Sequence, residues 1–132
     1  MTQQTAHRRR PTIAVVTAGW ALLFGLVHLV WAAGWTVGLG PEADGGFSGW
    51  FLAYDLVAAA GCLVAAWWAW RPWVPGVALA AFVLVVRAVI GVGQAAADVG
   101  LGKDVLTPTS WVEVVFVVGA VLFVLRLRAA RR

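Results

Sequence analysis

The stretch Ile13–Gly38, IAVVTAGWALLFGLVHLVWAAGWTVG, decides the reading of this chain, because it is apolar for its whole length except at Thr17, His28 and Thr36. A helix needs about 20 such residues to cross roughly 30 Å of hydrocarbon. The run is far longer than the apolar part of a secretory signal peptide, and no soluble mature domain follows it, so it reads as a permanent anchor. Three more runs follow. They cover Trp50–Trp70, Pro75 to about Ala97, and Trp111–Leu125, the last with a start near Pro108–Thr109 and an end near 127. The expected fold is all-α: an antiparallel bundle of four transmembrane helices at about 13–38, 50–70, 75–97 and 109–127, with a disordered basic segment 1–12 and a basic tail 128–132.

Composition agrees. Of the 132 residues, 62% are hydrophobic and 12% charged, against roughly half and a quarter in soluble domains. A soluble domain of this size has too little interior to hide so much apolar surface, and a bilayer supplies the missing solvent. The net charge of +4 does not indicate nucleic acid, because the arginines sit at the ends of apolar runs. Arg8, Arg9 and Arg10 precede the first run, and Arg126, Arg128, Arg131 and Arg132 follow the last. With Arg71 in the short second connection they predict an N-in, C-in multi-pass protein of the plasma membrane, its basic residues facing an anionic inner leaflet. Trp67, Trp68, Trp70 and Trp73 then mark the inner interface, and Trp35, Trp50 and Trp111 the outer one. Cys62 is the only cysteine, so no intramolecular disulfide or dithiol pair is possible, and it reads as a small buried residue. Small residues such as Gly25, Gly91 and Gly119 permit close helix approach.

Every predicted span contributes one ionisable side chain to the outer half of the bilayer. His28, Asp55, Arg87 and Glu113 fall between the midplane and roughly 10 Å outward of it at the helical rise of about 1.5 Å per residue. Spacing extends this pattern. Phe24, His28, Trp31 and Trp35 share one helical stripe, as do Arg87, Gly91, Gln94 and Asp98; Phe51 and Asp55 share another, with Tyr54 adjacent. The simplest packing is a polar and aromatic cavity in the outer half of the bundle. His28, Asp55, Arg87 and Glu113 are its candidate catalytic residues, and Trp31, Trp35, Phe51, Tyr54 and Gln94 line it for a substrate. A structural reading competes, in which Arg87 clasps Asp55 or Glu113 because charges in lipid must pair. Arg87 is a permanent cation, so the two carboxyls should differ in charge state, and the one farther from Arg87 is the candidate general acid. No metal or cofactor is expected.

The segment His28-Leu29-Val30-Trp31-Ala32-Ala33-Gly34-Trp35 resembles the His-x-x-Trp-x-x-Gly end of the first helix in small membrane proteins grouped as domain-of-unknown-function family 3995. The resemblance implies a four-helix bundle and gives weight to His28, Trp31 and Gly34, without implying an activity. The function expected from the residues is acid–base chemistry on a lipophilic molecule, isoprenoid- or sterol-like, by a membrane isomerase or cyclase. The alternatives are a small proton-coupled transporter or channel subunit, as part of a homo-oligomer, and a non-catalytic membrane helper protein.

Overall fold

The computed structural model describes residues 12–35, 38–39, 49–71, 73–103 and 110–132. The described residues form four helices: α1 (Thr12–Ala32), α2 (Gly49–Trp70), α3 (Val74–Gly100) and α4 (Ser110–Ala130). Each is long and apolar enough to cross a membrane. The expected N-terminal segment lies outside the described residues apart from Thr12.

Three boundaries differ from the sequence expectation. First, α1 stops at Ala32, short of Gly38. Gly34 takes φ 90°, a left-handed conformation that suits glycine because it has no Cβ. The turn is closed by N–H donation from Gly34 to the Trp31 carbonyl at 2.8 Å and from Trp35 to that of Val30 at 3.2 Å. Second, α3 runs past Ala97 to Gly100, where Leu101 N–H caps the Ala97 and Asp98 carbonyls. Third, α4 continues to Ala130 and takes Arg126 and Arg128 into the helix, so the basic tail is helical at its start. At the other end of α3, Pro75 sits in the first turn, where its missing N–H costs nothing.

Neighbouring helices run antiparallel. Gly25 of α1 meets Ala59 and Cys62 of α2, and Thr17 donates to the Leu122 carbonyl of α4 at 3.4 Å. Arg87 of α3 pairs with Glu113 of α4, and Trp68 of α2 lies against Gly76 of α3. The bundle therefore has a turn end, holding the α2–α3 connection, and a loop end, holding His28, Asp55 and Glu113. The turn half packs around Ala21, Ala69, Val77 and Phe123. Its helices approach closely because alanines and glycines face one another; a Cβ on Gly119 would overlap Trp20. Among helices that follow one another in the chain, packing is closest between α1 and α2 and thinnest between α2 and α3. The outer faces stay apolar, with Leu23, Val57, Phe82 and Val89 all exposed. A water-facing helix would carry charge on such a face.

Arg126 departs from its expected place among the headgroup-facing arginines. It is buried, and its Nε donates to the Ala69 carbonyl at 2.8 Å. Ala69 lies in the last turn of α2, whose carbonyls have no helical partner. Arg126 thus caps a neighbouring helix, and the positive charge meets the negative end of that helix's dipole.

Candidate functional site

The site forms where four helices bring one polar side chain each to the loop half of the bundle. On α1, Trp20, Phe24, His28 and Trp31 form a stacked stripe with successive ring centroids at 5.3, 4.6 and 5.0 Å. Their steps of four, four and three keep them on one helix face. That face turns inward: Phe24, His28 and Trp31 are buried.

Arg87 and Glu113 form a two-point ion pair, Nη2 to Oε1 at 2.7 Å and Nη1 to Oε2 at 2.8 Å. The planar guanidinium fits both carboxylate oxygens at once and also lies over the Phe116 ring, 4.4 Å from its centroid. Gly91 makes room for the pair, because a Cβ there would overlap the Glu113 carboxylate. Tyr54 stands beside the same guanidinium, with its ring 6.2 Å from that of His28.

Asp55 has a different environment. It is fully buried, and neither carboxyl oxygen has a hydrogen-bond partner among the described residues. His28, 2% exposed, is likewise without a partner at Nδ1. The contact of Gly25 with Ala59 sets the antiparallel register. Asp55, one turn before Ala59, lies close to the level of His28, one turn after Gly25.

Between α2 and α3 lies a cleft of about 680 Å³. Its floor is Trp20, Phe24 and His28 of α1 with Phe116 of α4, and its walls are mostly Val, Leu, Ala and Gly. Tyr54 and Arg87 close the loop end, and Trp68, stacked on Trp73 at 5.3 Å, closes the turn end. The wall residues Val57 and Val83 are 73% and 55% exposed, so the cleft opens sideways along the flank of the bundle. From Tyr54 to Trp68 it extends roughly 20 Å at the helical rise.

Of the expected site residues, the structure gathers His28, Tyr54 and Arg87 at the cleft, with Glu113 behind Arg87 and Asp55 buried in the bundle nearby. Trp31 is buried above them, edge-on to Trp111 at 6.0 Å, and does not line the cleft. Trp35 is exposed because α1 ends before it and the stripe is broken. Phe51 leans on Tyr54 with centroids 6.5 Å apart, outside the cleft. Gln94 is exposed: Gly91 faces Glu113 near the start of α4, so one turn further α3 has run past its neighbour. Trp20 and Trp68 are the aromatic walls that the expectation lacked. Trp20 was legible as one more step of four before Phe24. Trp68, assigned to the membrane interface, had no local signal for a wall position.

No family model, curated protein or solved structure matches the chain.

Proposed function

We propose that this chain is a multi-pass membrane protein that takes a lipophilic molecule from the bilayer into the α2–α3 cleft and performs acid–base chemistry on it. The observation that carries this reading is the sideways-opening apolar cleft that ends on His28, Tyr54 and Arg87. Its volume of about 680 Å³ suits one isoprenoid or sterol-like molecule, small-molecule sites being roughly 300–1,000 Å³. The arginine-rich turn end supports an N-in, C-in arrangement in the plasma membrane, and the four-helix form is in keeping with the family 3995 resemblance.

The carboxyl farther from Arg87 is Asp55, since Glu113 holds the guanidinium. In hydrocarbon, and without hydrogen-bond donors, Asp55 is far cheaper to hold as the neutral acid than as the anion. Among the described residues neither Asp55 oxygen is hydrogen-bonded at rest, so transfer of its proton to His28 requires the two side chains to turn toward each other; it makes an imidazolium facing the cleft. That group protonates an alkene carbon, and the carbocation rests against the faces of Trp20, Phe24 and Tyr54. Loss of a proton from the neighbouring carbon to His28, and from there to Asp55, moves the double bond and restores the protein. The proton count closes with no other reactant.

Two measurements test this. Incubation with farnesol or cholesterol in heavy water should place deuterium next to the double bond, and His28→Ala or Asp55→Asn should abolish the uptake. Absence of uptake from an isoprenoid and a sterol that both occupy the cleft removes the acid–base reading. For topology, Lys103→Cys on a Cys62→Ala background should react with an impermeant thiol reagent applied from outside. Reaction only after permeabilisation reverses the orientation. A proton-coupled transporter is the weaker reading, because the cluster around Ala21, Ala69, Val77 and Phe123 in the turn half is apolar, and the buried Arg126 and Thr17 there are spent on the carbonyls of Ala69 and Leu122.

A further inference from the structure

The charge balance at the loop end of the cleft bears on which lipids enter. Among the described residues Arg87 is the one formally charged side chain that lines it, and both of its terminal nitrogens are engaged by Glu113, at 2.7 and 2.8 Å. The guanidinium face is covered by Phe116 at 4.4 Å. The pair sums to zero, so a bound molecule meets no net charge. What it does meet is unused hydrogen-bonding capacity. His28 lines the cleft, is 2% exposed, and has no partner at Nδ1 among the described residues. A buried polar atom left unpaired is destabilising, and a ligand group that pairs with it removes that cost.

We propose that the cleft selects an uncharged lipid with a single chain or flat ring system and a hydroxyl or carbonyl head, and rejects the matching carboxylate or phosphate. The inference rests on the lipid-cleft reading and adds to it the chemistry of the head. An anionic head has to displace Glu113 from Arg87, which leaves an unpaired carboxylate in a low-dielectric site. A hydrocarbon with no polar atom leaves His28 unpaired. Shape sets the rest: about 680 Å³ spread over roughly 20 Å leaves a mean section of about 34 Å², a slot for one chain or one ring plane.

The test uses the full chain in phosphatidylcholine nanodiscs at neutral pH, with two photoactivatable probes differing only in the head, a diazirine-bearing hexadecanol and the corresponding hexadecanoate. Hexadecanol should label the walls near Val57 and Val83 at least about tenfold more than hexadecanoate, a preference worth about 1.4 kcal/mol. Glu113→Gln frees the Arg87 cation and should invert the preference. The double variant Arg87→Gln with Glu113→Gln, which removes both charges, should keep the preference for the alcohol and serves if the single variant unfolds. Gly61 lines the cleft with open space around it, so Gly61→Trp should block both probes. Equal or stronger labelling by hexadecanoate in the unaltered chain overturns the head-group inference and leaves the cleft reading in place. Absence of labelling by either probe, with chain-to-chain cross-links at Val57 or Val83 instead, overturns both readings and assigns the cleft to a second copy.

Discussion

Glu113 engages Arg87 through both carboxylate oxygens and so leaves Asp55, fully buried and with both oxygens unpartnered, as the carboxyl without a cation. Two acids placed at similar depth by the sequence thereby meet different surroundings, one paired with a guanidinium and one not. Their different environments, not their residue types, make the distinction.

The ion pair should be worth more as a unit than either partner is alone. Arg87→Leu is expected to destabilise the protein in detergent by roughly 2–3 kcal/mol, because it strands Glu113. The double variant Arg87→Leu with Glu113→Leu should recover at least half of that. Thermal unfolding followed by tryptophan fluorescence reads the difference; simple additivity of the two substitutions would show that the pair contributes nothing as a pair.

Gly91 and Gly93 provide a matched comparison on one helix. A Cβ at Gly91 would overlap the Glu113 carboxylate, while nothing lies within 4 Å of one at Gly93. Gly91→Ala should lower stability about as much as Glu113→Gln. Gly93→Ala should raise it, by up to about 1 kcal/mol, through helix propensity. Equal effects at the two positions would disprove the close approach of α3 and α4 at the pair.

Asp55 should show the infrared carbonyl stretch of a protonated carboxylic acid at neutral pH. The band should vanish in Asp55→Asn and persist in Glu113→Gln. Asp55→Asn, neutral for neutral and nearly the same shape, should change stability by less than about 1 kcal/mol. A band that survives in Asp55→Asn would assign the proton elsewhere.

Arg126 and Arg128 lie two positions apart with different surroundings. Arg126 is 3% exposed and caps Ala69, whereas Arg128 is exposed. Arg126→Leu should cost about 1–2 kcal/mol for the unmet carbonyl, and Arg128→Leu should lie within about 0.5 kcal/mol of zero. Similar melting temperatures for the two variants would refute the cap.

The number of helices, their order and the loop-half placement of His28, Asp55, Arg87 and Glu113 were legible in the sequence. Long apolar runs and the 1.5 Å helical rise are local properties that need no tertiary partner. The end of α1 was local too, but Gly34 in a left-handed turn weighs little beside an apolar run that continues to Gly38. The inward stripe of α1 was read from its spacing, and it failed only at Trp35, beyond the helix end.

The choice of Glu113 over Asp55 as the partner of Arg87, the capping role of Arg126 and the cleft between α2 and α3 were decided by tertiary structure alone. Each depends on helix rotation and on the distances between helices, which follow in part from how glycines and alanines let some helix pairs close up. Gly91 opens the space that Glu113 enters. The thin α2–α3 contact leaves the cleft. One chain's hydrophobic pattern says that a helix is apolar; only the packing of all four says which of its side chains meet.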